Sequence, residues 1–166
     1  MAKREILTYP NPVLNEISKP VTVFDRDLGV LVDDMLETMY PANGIGLAAP
    51  QIGVLQRVIV VDISDKRNEP LHFINPEVTW KEGKICMEEG CLSVPDYRDD
   101  VERPAHIKVR AQDKTGKTFE LEADELLAVC IQHEIDHLNG ILFVNKISRL
   151  KREFFRRWFN KRQPND

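Results

Sequence analysis

No stretch restricts this chain more than HEIDH, residues 133–137, inside LLAVCIQHEIDHLNGILF at 126–143. On an α-helix His133 and His137 are i and i+4, so their rings leave one face about 6 Å apart along the axis and can reach a single cation. Glu134 is turned about 100° from His133, beside such a cation rather than on it, where a general base for a bound water belongs. A catalytic site of this kind needs a third protein ligand and an open position. Any fold of this chain must therefore carry another ligand up to this helix.

The third ligand does not come from downstream. No histidine follows His137, and the extended protease pattern HExxHxxGxxH keeps Gly140 but has Phe143 where its last histidine belongs. Upstream the candidates are His72, Cys86, Cys91, His106 and Cys130. Cys130 lies on the same helix face, but it is about 10.5 Å from His137 along the axis, too far for a tetrahedral site. It reads instead as a small buried hydrophobe lining the space beneath the site. Cys91 follows Gly90 in MEEGCLSVPDYR, where strand is expected to give way to irregular chain and close backbone approach is easy. Cys86 and Cys91, five apart, point to opposite faces of a strand. The reading is a centre of Cys91, His133 and His137 plus water.

Around this centre the pattern predicts an α+β fold, with antiparallel β-sheets packed around a central helix carrying HExxH, an N-terminal helix and a C-terminal helix. The segment to about Pro20 holds Pro10, Pro12 and Pro20 and is expected to be loop with one short helical turn. Asp25 caps a helix whose Leu28, Leu31, Val32, Met35, Leu36 and Met39 recur at 3–4-residue spacing, ending near Tyr40 and Pro41. A Gly-rich loop, NGIGLAAPQIG, spans 43–53. Strand-like runs follow at 57–63, 70–80, 84–90, 106–113 and 117–123, the last two joined by the hairpin turn DKTG. Asp124 is a candidate cap for the HEIDH helix, Glu125 to about Leu138, which Asn139-Gly140 stops. Ser148 caps a third helix to about Arg162. Strand runs without βαβ alternation favour an antiparallel sheet.

With 166 residues the chain fits a single domain, and 42% apolar with 30% charged residues is ordinary for a globular protein. The net charge of −4 gives no chain-wide argument for nucleic-acid binding. MAKREILTYPNPVL lacks the ~7–15-residue apolar core of a signal peptide, and no apolar run approaches the ~18 residues of a membrane span. Three cysteines are too few for a disulfide scaffold and read as free thiols in the cytoplasm. The expectation is one catalytic domain over 1–148, with 149–166 as a basic helix and tail of the same domain. With no heptad or long apolar edge evident, a monomer is expected.

Three segments, GIGLAAPQ (44–51), EGCLS (89–93) and QHEIDH (132–137), resemble in order and spacing the three signature motifs of bacterial peptide deformylases. The resemblance runs over nearly the whole chain to about Arg149. It implies a metalloenzyme that removes the N-formyl group from the initiator methionine of newly synthesised proteins and releases formate. Carried over position by position, it makes Cys91, His133 and His137 the metal ligands and Glu134 the general acid/base. Gln51 and the Leu92 N–H then hold the formyl oxygen, and Gly46 pairs with the substrate backbone. Ile45, Met87, Leu126 and Val129 fall at the methionine pocket, and Arg98 at the cleft mouth. Either Glu89 or Asp136 orients a ligand histidine through its second nitrogen. One thiolate and two imidazoles suit Fe2+, Zn2+, Ni2+ or Co2+; the resemblance points to iron(II).

The chain from Arg149 onward holds seven Lys/Arg against Glu153 and Asp166, a local charge of +5 against −9 for residues 1–148. Leu150, Phe154, Phe155, Trp158 and Phe159 form an apolar stripe on this basic helix. It is expected to dock on the body with a solvated basic face. Contact with the ribosome and its RNA near the nascent chain is the sharper expectation, which the family resemblance supports, and it is salt-sensitive. The competing readings are an HExxH metallopeptidase and a structural metal site in a partner-binding module. The second requires a closed four-ligand shell and gives Glu134 no purpose.

Overall fold

The structure, a computed structural model, describes residues 2–162. Residues 163–166 of the expected tail lie outside the described residues. A 3-10 turn at Pro12–Asn15 interrupts an otherwise irregular N-terminal segment. Helix α1 spans Arg26–Met39, and the Asp25 side chain accepts from the Leu28 N–H at 3.2 Å, as an N-cap does. Its inner face of Leu28, Leu31, Val32, Met35 and Met39 is buried against the sheet, each side chain contributing about 1.5–3 kcal/mol.

The main sheet has five antiparallel strands in the order β1-β2-β3-β6-β7: β1 Gly46–Ala48, β2 Val58–Val61, β3 Leu71–Glu82, β6 His106–Gln112 and β7 Thr118–Asp124. A separate two-stranded sheet pairs β4 Ile85–Cys91 with β5 Val94–Arg103. Asn75 in β3 has φ 53° and its register against β6 shifts after Ile74. Pro76 has no N–H to give the ladder, and the Asn75 amide bridges Val21 and Gln112 instead.

Two strands went unrecognised in the sequence. The Gly-rich segment contains β1 and a 3-10 turn at Ala49–Ile52, and the supposed irregular chain after Cys91 becomes β5. Of β5, VPDYRDDVER, only Val94, Val101 and Arg103 are buried, so its charged composition hid an edge-type strand.

Helix α2 spans Glu125–Leu138 and packs on β1, β2, β6 and β7, with Ala128, Ile131 and Leu138 fully buried. Asp124 occupies the cap position, but its side chain makes no capping bond, contrary to expectation; Glu125 enters the helix at φ 49°. The other end stops as its residues predict. Gly140 turns with φ 73°, and the N–H groups of Gly140 and Ile141 bond the carbonyls of His137 and Asp136. Arg57 adds donors to the Leu138 carbonyl (3.1 Å) and the Asn139 side chain (3.1 Å).

Helix α3, Arg149–Arg162, follows Ser148, whose hydroxyl accepts from the Lys151 N–H. It docks through Phe155, Trp158 and Phe159 on Tyr9 and Tyr97, with ring centroids about 5 Å apart. No described helix is long and apolar enough to cross a membrane.

Candidate metal centre

Helix α2 brings His133 and His137 to its face towards the end of β4, their ring centroids 5.1 Å apart. Cys91 closes β4, where a register shift against β5 turns the chain. One ligand atom from each of Cys91, His133 and His137 lies within 4.8 Å of the others, and Cys91 Sγ is 3.3 Å from His137 Nε2. Among the described residues this is the one such cluster. The remaining candidates stand apart from it. His72 accepts the Lys114 N–H, Cys86 and His106 are exposed, and the buried Cys130 thiol faces the Ile45 carbonyl at 3.7 Å.

Glu89 orients the first histidine: its Oε1 is 2.9 Å from His133 Nδ1, which leaves Nε2 for a cation. Asp136 lies one step further out. Arg103, buried at the end of β5, forks onto Glu89 (2.6 and 2.9 Å) and reaches Asp136 with its third nitrogen at 2.8 Å. Sequence reasoning missed Arg103 because β5 was not recognised. The signal was available in principle, since two inward carboxylates near one helix require a buried cation between them.

The electrostatics describe a place short of positive charge. Burial disfavours the His133 cation, yet Glu134, Cys91 and Glu89 outweigh it and hold the imidazole well above its usual pKa. Burial pushes His137 well below the ordinary histidine range, helped by positive charge on His133 and Arg103. The Glu134 carboxyl is pushed up to about 7, chiefly by burial, against the lowering influence of His133. Burial, Glu134 and Glu89 likewise raise the Cys130 thiol. Glu134 Oε1 and His137 Nδ1 are buried with no hydrogen-bond partner among the described residues. One thiol and two imidazoles converging amid excess negative charge form a donor set that fits a divalent cation such as zinc or iron(II).

A cleft of about 610 Å³ opens over this centre. Cys91, His133 and Glu134 lie at its floor, while His137 is deeper and almost fully covered. Ile45, Met87, Leu126 and Val129 line it; Val129 is buried, and Ile45 and Leu126 are each 37% exposed. Gly46 and Leu92 are also in the lining. Arg98 lies at its edge beside Gly90 and pairs with Glu88 at 2.8 Å. The Gln51 amide is buried: Oε1 accepts the Ala48 N–H (2.9 Å), and Nε2 donates to Ser93 Oγ (3.0 Å) and lies 3.5 Å from Cys91 Sγ. Ser93, within EGCLS, is a partner the sequence reading did not single out.

The Asp62 N–H bonds the Ile45 carbonyl, and Gly46 stands opposite Val61. In an antiparallel pair the residue after a bonded one turns its N–H and C=O outward. Because β1 is the edge strand, the Gly46 backbone groups are left on the open side of the sheet.

Residues 3–153 match the family model described as polypeptide deformylase. The chain is 53% identical over 163 residues to a peptide deformylase of Chromobacterium violaceum, covering 98% of each chain. It is 56% identical over 152 residues to one of Hydrogenovibrio crunogenus, covering 92% and 90%. Among solved structures, a peptide deformylase from Legionella pneumophila superposes with TM-score 0.90 at 47% identity, over 98% of this chain and 100% of that one. One from Ehrlichia chaffeensis in complex with actinonin gives 0.92 at 38% identity, over 99% and 100%.

Proposed function

The chain belongs to the polypeptide deformylase family, and from that membership we infer how the residues at its cleft divide the work. It is a metal-dependent enzyme that removes the N-formyl group from nascent peptides; a peptidase acting on the peptide bond is not favoured. One observation carries the assignment of residues: Cys91 and His133 at the cleft floor converge with His137 just beneath it, and a buried Glu134 oxygen without a partner among the described residues lies beside them.

We propose Cys91, His133 and His137 as the ligands, with iron(II) the metal in the cell and zinc, nickel or cobalt able to replace it. When bound there, the cation supplies Lewis acidity that makes a water nucleophilic near neutral pH and polarises the formyl carbonyl. Glu134 accepts the proton of the attacking water and delivers it to the amine that leaves as the formyl C–N bond breaks. Burial disfavours the charged form of Glu134, which suits a group that must take up and return a proton in one cycle.

The Leu92 N–H and the Gln51 amide stand where negative charge grows on the formyl oxygen, one such donor contributing about 3–4 kcal/mol. Gln51 can turn an N–H inward by giving up only its long contact with Cys91 Sγ, while Ser93 keeps the amide in place. Ile45, Met87, Leu126 and Val129 receive the methionine side chain, Gly46 pairs with the peptide backbone, and Arg98 guides the peptide at the mouth.

Iron-loaded protein prepared without oxygen should release formate from formyl-Met-Ala-Ser and leave the peptide bonds of that peptide and of Met-Ala-Ser intact. Cleavage of either peptide bond would overturn this reading. We assign residues 1–148 and the helix that follows to one domain, working as a monomer in the cytoplasm. Arg157 and Lys161 are exposed on α3 and offer a basic face to ribosomal RNA. Because Phe155 of α3 is buried in the body, the informative variant is Arg157→Glu/Lys161→Glu rather than a truncation. Ribosome co-sedimentation should fall in that variant and fall with salt; equal sedimentation would remove the contact.

A further inference from the structure

The cleft wall at 44–46 is held from behind by groups that the chemistry does not use. Between α1 and β1 the chain turns through Asn43 at φ 61°, with the Asn43 N–H on the Tyr40 carbonyl and the Gly44 N–H on that of Met39. The Ile45 carbonyl takes the Asp62 N–H at 2.8 Å. The Gly44 carbonyl is taken by a side chain from another loop: Arg67 Nη2 donates to it.

Arg67 lies between β2 and β3, and of residues 65–70 it is the one that is not exposed. Its guanidinium lies over the Tyr40 ring, 5.2 Å from the centroid. The Tyr40 hydroxyl in turn donates to Asp62 Oδ2 at 2.6 Å. Asp62 is buried and also accepts the Ser64 N–H (2.9 Å), the Ser64 hydroxyl (2.5 Å) and the Glu69 N–H (3.1 Å). One carboxylate therefore folds the loop that presents Arg67, and Tyr40 serves both as its anchor and as the platform for the guanidinium. Burial and Asp62 push the Tyr40 phenol up to about 12, so the hydroxyl remains a donor throughout the working range.

We propose that Arg67 is a positioning residue for peptide binding, fixing the Gly44 carbonyl so that the Gly46 backbone edge is presented to an extended formyl-peptide. Arg67 touches neither the metal ligands nor Glu134, so its work is confined to the wall. An added peptide strand gains its affinity from main-chain bonds to a preset edge, and a wall free to shift gives weaker bonds. A substrate that ends at the formylmethionine makes little use of that edge. The inference rests on Gly46 pairing with the substrate.

The test compares formyl-Met-Ala-Ser with formyl-methionine amide on metal-loaded enzyme, with metal content and Tm measured on the same preparations. Arg67→Ala is expected to raise KM for the tripeptide about tenfold more than for the amide, kcat moving by no more than about twofold. Arg67→Lys keeps a donor and should recover part of the loss. Tyr40→Phe keeps the platform but frees Asp62, and should shift the same ratio by a smaller factor. An equal rise for both substrates, an unchanged tripeptide KM, or an effect on kcat alone would overturn the proposal. A wild-type enzyme releasing formate from neither substrate would instead overturn the functional reading on which it rests.

Discussion

Glu134 occupies a position where burial works against its charge, and two neighbours show what the position is for. One carboxylate oxygen has no partner among the described residues, and the other lies so close to Gly46 that a Cβ there would sit 2.5 Å from it and 2.9 Å from Cys130 Sγ. The requirement for glycine at 46 is thus steric, since the absent side chain leaves room for the Glu134 carboxylate. Glu134→Ala should lower kcat by at least about 100-fold while metal analysis still finds one ion per chain; full activity would remove the general-base role. Gly46→Ala should displace the carboxylate and cost about 100-fold in kcat/KM, read against unchanged metal content. At this scale the sequence was informative wherever spacing alone sets geometry. Helix spacing was enough to pair His133 with His137 and to exclude Cys130. It said nothing of Gly46's neighbours, which come from 84 and 88 residues further along the chain.

The β4–β5 hairpin is the element that completes the centre. It supplies Cys91, the Glu89 carboxylate that turns His133, and the Arg103 fork that ties both to Asp136 on α2. Glu89→Gln should weaken metal binding about 10–100-fold by chelator competition, with the fold retained. Arg103→Ala leaves Asp136 without its partner and Glu89 with His133 alone, and should cost about 3–5 kcal/mol in urea unfolding. The helices and the β6–β7 hairpin were legible because each carries its pattern locally: 3–4-residue spacing, caps, and DKTG. Strand β5 was not legible, because its partners and its three buried positions are defined only once β4 lies beside it. Strand β1, three residues long, is likewise a strand only by virtue of β2.

Across the whole molecule, the N-terminal segment is fastened to α1 by a buried carboxylate. Asp34 accepts the Ala2 N–H at 2.7 Å and a fork from Arg4 at 2.6 and 2.9 Å. Burial alone would raise its pKa, but the Arg4 and Ala2 bonds outweigh burial and hold it below the ordinary 3.8. A carboxyl whose folded pKa lies below its unfolded one contributes stability that is full above the unfolded value and is lost as pH falls through the folded one. Asp34→Asn should therefore be less stable by about 1–3 kcal/mol at pH 7, with the gap closing below about pH 4 in urea titrations. A gap that persists at acid pH would show that charge is not what Asp34 contributes.

The two sheets of this molecule meet at the cluster of Cys91, His133 and His137, since Cys91 and Glu89 belong to one and α2 packs on the other. A cation held there would be a reversible rivet between two separately paired pieces of chain, closing a span of 46 residues. Stripping the metal should then loosen the hairpin before the main sheet. Amide protons of residues 85–103 would exchange faster than those of 106–124, and a protease would find its first cut near the turn after Cys91.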